Sequence, residues 1–290
     1  MSIMRFIAAG AIGLVLAAAI PPHMADARGA PPRSRYSVTI PLDAVQKGTP
    51  LPPIAGPAGK PLVMIDPGHG GHDPGATSSH DGRREKDVTL SIAQAMRDAL
   101  LGTGRVRVAL TRDDDHFIAL ADRYELGRTL KADLFISIHA DSAGNPDASG
   151  ATVYTLSETA SDREAARLAE RENRADILNG VNLGSTHNKA VNSILIDLSQ
   201  RETMKASTAF AKLLHRETSA TLPFRAIFHR FASLIVLKAP DMPSILFETG
   251  YLSNRRDAQF LNSPAGRSTI AAGTARAVET YFARRSLTAP

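Results

Sequence analysis

The stretch Ile65-Asp-Pro-Gly-His-Gly-Gly-His-Asp-Pro-Gly-Ala76 holds four glycines, two prolines and two histidines, and it follows directly on the apolar run Leu62-Val-Met-Ile65. Glycine opens backbone conformations closed to other residues and proline fixes φ, so the stretch reads as a rigid turn leaving a strand. A shaped loop at a strand end is a common seat of chemistry. The fold class follows from what surrounds this turn.

From Pro61 onward, apolar runs alternate with amphipathic segments. The runs Leu62–Ile65, Val106–Leu110, Leu134–His139, Thr152–Leu156, Ser233–Leu237 and Ser244–Phe247 read as strands. In Asp87–Leu101, Val88, Ile92, Met96 and Leu100 recur every four residues, which predicts a helix with Asp87 as its N-cap. Thr203–Thr218 and Ser268–Arg284 read as helices too. The alternation predicts a single α/β domain at about residues 60–286, with a mixed, largely parallel central sheet and helices on both faces. Glu158 to Gln200 breaks the rhythm: a charged helix, a polar break at Asn179–Asn192, then the apolar run Ile194–Leu198. It reads as a helical insertion packed on the domain.

The N-terminus has a different build. One positive charge precedes the 15-residue apolar run Phe6–Ile20, Pro21-Pro22 follows, and Ala25-Asp26-Ala27 offers a small-x-small cleavage site. Residues 1–27 therefore read as a cleavable signal peptide, too short in its apolar part to span a bilayer, so no membrane span is expected after cleavage. Residues 28–59, rich in Pro, Gly and Arg, read as an extended tail. The chain of 290 residues has no cysteine, which removes thiolate chemistry and Cys-based metal sites. Its net charge of +5 suits nucleic acid, anionic lipid or an acidic polymer. The basic residues are dispersed without interleaved aromatics, so no nucleic-acid partner is expected.

A metal in such a chain would be held by His, Asp and Glu. His69 follows the first strand and His139 closes the apolar strand Leu134–His139, so both fall at carboxyl ends of strands, where open α/β sheets gather ligands. Taken singly, each also suits an ordinary hydrogen-bonded loop histidine. Glu85, in Arg83-Arg-Glu-Lys-Asp87, is the carboxylate near the glycine-rich loop that could turn inward, although such charge runs are usually solvated. A His-Glu-His set would leave Zn²⁺ an open position, as in catalytic sites. Glu248, at the tip of Ser244–Phe247, would be desolvated and suited to proton transfer, or else satisfied by backbone N–H groups or an arginine.

The set Ile65-Asp-Pro-Gly-His-Gly-Gly71, Arg84-Glu85-Lys86, Thr111-Arg112-Asp113, Ser137-Ile-His-Ala140 and Pro243-Ser-Ile-Leu-Phe-Glu-Thr249 resembles, in order, the zinc-dependent N-acetylmuramoyl-L-alanine amidases of the amidase 3 type. The resemblance runs from Pro61 to Phe282. It implies zinc on His69, Glu85 and His139, with Glu248 as the catalytic glutamate. The reaction it implies is hydrolysis of the amide joining N-acetylmuramic acid to L-alanine in peptidoglycan, for wall remodelling and daughter-cell separation. Arg112 and His229 are candidates to assist with the oxyanion, and His72 a candidate either to support the ligands from behind or to contact substrate.

In cell-division members of this family a helical insertion covers the zinc site until an activator protein, of LytM type, moves it. Glu158–Gln200 sits in the equivalent place, and Asn173–Val181 and Ser193–Ser199 look like its sequence. The resemblance thus implies autoinhibition, with Glu172 or Glu170 as the carboxylate capping the zinc, and a periplasmic location. Two rivals stand beside this: a zinc peptidase cutting within stem peptides, which the same site chemistry would serve, and, of a different class, a catalytically inactive wall-binding regulator.

Overall fold

The computed structural model describes residues 49–178 and 190–288. The expected signal peptide, the tail as far as residue 48 and residues 179–189 of the polar break lie outside the described residues.

The turn stretch leaves β1 (Leu62–Pro67), whose six residues are all buried. Side chains alternate across a strand, and here the alternation divides two cores. Val63 and Ile65 join one apolar cluster, Leu62 and Met64 the other. The same division holds in β3 (Leu134–His139), where Leu134, Ile136 and Ile138 face one side and Phe135 the other. A sheet buried on both faces needs a layer of helices on each.

On the first face lie α1 (Glu85–Gly102), α4 (Ala190–Thr218), α5 (Arg255–Asn262) and α6 (Pro264–Thr288). Val88, Ile92, Met96 and Leu100 of α1 are all buried against the sheet, as their spacing predicts. On the second face lie α2 (Leu120–Thr129), α3 (Arg163–Leu178) and a 3-10 turn at Ile235–Leu237.

The strands are completed by β2 (Arg107–Leu110), β4 (Ala151–Leu156), β5 (Phe224–Ala232) and β6 (Ser244–Glu248). Their order is β2-β1-β3-β6-β4-β5, with only the β4–β6 pair antiparallel among these neighbours. The expected mixed, largely parallel sheet between two helical layers is the fold observed. Because β1, β3 and β6 are parallel neighbours, their carboxyl ends share one edge. The register sets Asp66 opposite Ser137 and His139 opposite Glu248.

Several elements differ from expectation. Ser233–Leu237 is not a strand. Asn173 of α3 accepts the Ile235 N–H at 2.9 Å and donates to the Ser233 carbonyl at 2.8 Å, so these residues bond to a helix rather than to a neighbouring strand. Leu234, Val236 and Leu237 fill the core of the second face instead. The edge strand β5 lies just before them. Helix α1 starts at Glu85 with Arg84 at the N-cap, and Asp87 falls in its first turn. The insertion has its first helix from Arg163, and its second, α4, runs unbroken into the expected Thr203–Thr218 helix. The end of the tail is bound to the sheet edge: Ala55 and Val108 exchange backbone hydrogen bonds at 2.9 Å.

A buried ion pair ties β1 to the second face. Asp66 accepts from Thr111 Oγ1 at 2.6 Å, Ser137 Oγ at 2.7 Å and Arg123 Nη1 at 2.9 Å. Arg123 also donates to the carbonyls of Pro67, Ile118 and His69, and so clasps the start of the glycine-rich turn. Burial alone would raise the Asp66 pKa, but Arg123 and the two hydroxyls hold it below its ordinary value. A carboxyl so depressed contributes stability at neutral pH that disappears as pH falls through its folded pKa. Asp66→Asn, which leaves Arg123 buried without a counter-charge, is expected to cost about 3–5 kcal/mol at neutral pH. Urea unfolding at neutral pH and at about pH 3 checks this, with a smaller difference between variant and parent at the acid end.

Candidate metal centre

The glycine-rich turn is shaped by the side chains around it. A Cβ on Gly68 would lie 2.5 Å from the His139 imidazole, and one on Gly75 would lie 2.6 Å from the His69 ring and 2.7 Å from Glu85 Oε2. Glycine at these positions lets the two rings and the carboxylate close on one another. His69 itself has φ +62°, an uncommon conformation for a residue with a side chain. Arg123 holds its carbonyl at 2.7 Å and Asp73 Oδ2 holds its Nδ1 at 2.8 Å. With Nδ1 so occupied, Nε2 is the atom presented to the interior.

Four other elements converge there: α1, β3, α3 and β6. Glu85, in the first turn of α1, accepts the Ala76 and Ala140 backbone N–H groups at 2.8 and 2.9 Å. Its oxygens lie 3.1 Å from His69 Nε2 and 3.1 Å from His139 Nδ1. Helix α3 brings Glu172, whose Oε2 is 3.2 Å from His139 Nδ1 and 3.6 Å from His69 Nε2. The ligand atoms of His69, His139 and Glu172 all lie within 4.8 Å of one another, and Glu85 flanks both imidazoles. At the end of β6, the fully buried Glu248 accepts the Asp141 N–H at 3.1 Å through Oε2.

The charges here are strongly coupled. Burial would push Glu85 up, but His69 and His139 hold it well below its ordinary value. Burial would push His69 down, yet Glu85, Asp73 and Glu172 raise it well above 6.5. Glu248 is raised well above the usual carboxylate range by burial and then by Asp141, Glu85 and Glu172. Asp141 is pushed up to about 7 by burial and by Glu172 and Glu85, against the opposing Arg171 that pairs with it.

Two imidazoles and two carboxylates are a donor set suited to a divalent transition metal. His69 Nε2 is buried and makes no hydrogen bond although two carboxylates face it, and a metal ion would satisfy that atom. The residues fit such an ion.

Residues 63–280 match the amidase 3 family, described as N-acetylmuramoyl-L-alanine amidase. The chain belongs to this family. It is 39% identical over 241 residues to N-acetylmuramoyl-L-alanine amidase AmiC of Neisseria meningitidis serogroup B, an overlap of 83% of this chain and 57% of that protein. It is 39% identical over 225 residues to AmiA of Escherichia coli K12, covering 77% of each. The chain thus spans little more than half of the first relative and about three quarters of the second. Among solved structures it resembles AmiC2 of Nostoc punctiforme, with a TM-score of 0.56, 30% identity, and 79% of this chain and 100% of that one covered.

In this amidase domain the structure brings His69, Glu85, His139, Glu172 and Glu248 together. Glu170 points elsewhere: its side chain is 63% exposed and pairs with Arg174. Arg112 donates to the carbonyls of Pro67, Gly68, Lys86 and Asp114, so its guanidinium braces the turn from beneath. His229 lies on β5, where Nε2 is 2.9 Å from Thr155 Oγ1, and His72 packs at a 37° tilt against Phe117 with ring centroids 4.6 Å apart.

Three contributors have no expectation attached to them in the sequence. Asp73 orients His69, Arg123 clasps the turn, and Arg171 pairs with Asp141 beside Glu248. Asp73 had a signal, an acid within the turn four residues after the histidine; the two arginines sit in charged helical segments with none.

Because Asp73 fixes which nitrogen of His69 faces inward, Asp73→Asn in this amidase domain is expected to weaken metal binding about 10- to 100-fold with the fold retained. Competition with a zinc chelator, alongside circular dichroism, measures both.

Proposed function

We propose that this chain is a zinc-dependent N-acetylmuramoyl-L-alanine amidase of the cell-division type, exported to the periplasm and held inactive by its own helix α3. The observation that carries the reading is the position of Glu172. A carboxylate from the expected insertion lies within 3.2 and 3.6 Å of the two imidazoles, in the space a substrate carbonyl would need.

His69, Glu85 and His139 would hold the zinc, as the family resemblance implies. Zinc held there supplies Lewis acidity toward water and toward the amide carbonyl. Glu248 handles the proton. Its Oε2 is tied to the Asp141 N–H, while Oε1 is buried with no hydrogen-bond partner and so is available to the reacting water. As the water oxygen bonds to the lactyl carbon, Glu248 takes the water proton. As the C–N bond breaks, it passes that proton to the departing amine of L-alanine. A glutamate raised by burial and neighbouring carboxylates is matched to both transfers.

Helix α3 has two parts. Ala165, Leu168 and Ala169 are packed into the core of the second face, whereas Glu172, Asn173 and Asp176 hold its later turns by polar contacts. An activator that competes for the later turns would withdraw Glu172 and leave the core intact. Removing all of Glu158–Gln200 would strip three core residues, so a single substitution is the cleaner probe.

Peptidoglycan sacculi digested with the zinc-loaded full chain and analysed by mass spectrometry test the reading. Glu172→Ala is expected to release free peptides beginning at L-alanine about 5- to 150-fold faster than the parent. Glu248→Gln is expected to lose about 10²- to 10⁴-fold in rate while still binding zinc. Products cut within the peptide would contradict the amidase, and a folded, zinc-loaded Glu172→Ala chain no faster than the parent would contradict the plug.

A further inference from the structure

Beside the metal centre lies a second cavity of about 730 Å³, within the size range of small-ligand sites. Its walls are the loop after β3 from Asp141 to Ala148, the exposed side of α3, Arg225 of β5, and Tyr154 and Tyr251. Asp141 and Arg171 line both this cavity and the smaller one around the metal ligands. The two spaces are therefore neighbours that share the Asp141–Arg171 pair as a common wall.

The charges of the cavity do not cancel. Its two acids are engaged: Asp141 pairs with Arg171, and Glu164 pairs with Arg225 and Arg230. Arg163 and Arg167, one helical turn apart on α3, also line the cavity, and neither makes a hydrogen bond or ion pair among the described residues. A third unmatched group lies in the wall. Tyr154 is fully buried, and its hydroxyl has no hydrogen-bond partner. The two unpaired guanidiniums can only donate and the phenol can donate too, so together they suit acceptors carrying negative charge.

We propose that this cavity is a binding subsite for the carboxylates of an acidic peptide, recognised by Arg163 and Arg167 with the Tyr154 hydroxyl as a further donor. A sugar chain would meet the guanidiniums with neutral hydroxyls, whereas planar carboxylates match the guanidinium fork. That the peptide is the one leaving the scissile amide rests on the amidase reading above. On that reading, the side of the substrate released as free amine extends from the metal centre along Asp141 and Arg171 into the cavity. The recognising arginines stand on the well-packed first turns of α3, so they remain in place when the later turns carrying Glu172 are withdrawn.

Isothermal titration of the zinc-loaded full chain with N-acetyl-L-alanyl-D-glutamate, and with its uncharged diamide, tests the subsite without any turnover. The dicarboxylate is expected to bind about tenfold more tightly than the diamide, with the preference shrinking as salt is raised. In the Arg163→Gln, Arg167→Gln double variant, the preference is expected to fall to less than about threefold with thermal unfolding unchanged. Equal binding of the two probes, no binding of either, or a double variant that keeps the preference overturns the subsite. Loss of peptide release from sacculi with the binding pattern intact would instead count against the amidase reading alone.

Discussion

Four carboxylates, those of Glu85, Asp141, Glu172 and Glu248, converge in buried space beside two imidazoles and the Arg171 guanidinium, and the rest of the site answers to that crowding. Acids brought together away from water raise one another's pKa unless positive charge is set among them. Backbone N–H groups hold Glu85 from two sides, Arg171 sits on Asp141, and Asp141 and Glu248 are both pushed up. A divalent cation between the imidazoles is the natural counter-charge. The same cation would turn an electrostatically awkward cluster into a hydrolytic centre.

What brings the acids together is the sheet. The parallel pairing of β1, β3 and β6 delivers the His69 turn, His139 and Glu248 to one edge, and the register places His139 directly beside Glu248. Asp66, one register step inside that edge, anchors Arg123, which in turn holds the His69 carbonyl. The helix that carries Glu172 is built into the opposite layer from α1, so the candidate metal centre draws its side chains from both faces of the sheet.

Much of this was legible in the chain. Strands such as Leu134–His139 and the four-residue spacing of α1 carry strong periodic signals, and histidines at strand tips follow from the sheet's geometry. Elements decided by tertiary contact were not legible. Ser233–Leu237 has a strand's composition but is bent into a 3-10 turn by the Asn173 side chain, and α2 buries Arg123 and Asp122 where a core helix would be expected to bury apolar residues. Glu172 and Glu170 could not be separated by pattern, since two residues along a helix differ by about 200° in direction and only the docking of α3 decides which turns inward. Asp73 could have been found, because a metal-facing imidazole generally needs a partner on its other nitrogen.

Anomalous diffraction at the zinc absorption edge, from crystals of the zinc-loaded full chain, is the decisive measurement of whether these side chains share one ion. A single peak is expected within about 2.0–2.2 Å of His69 Nε2, a Glu85 oxygen and a His139 nitrogen, with Glu172 as the remaining ligand. A peak away from these residues, or one at His69 and His139 with Glu85 and Glu172 both turned aside, would contradict it.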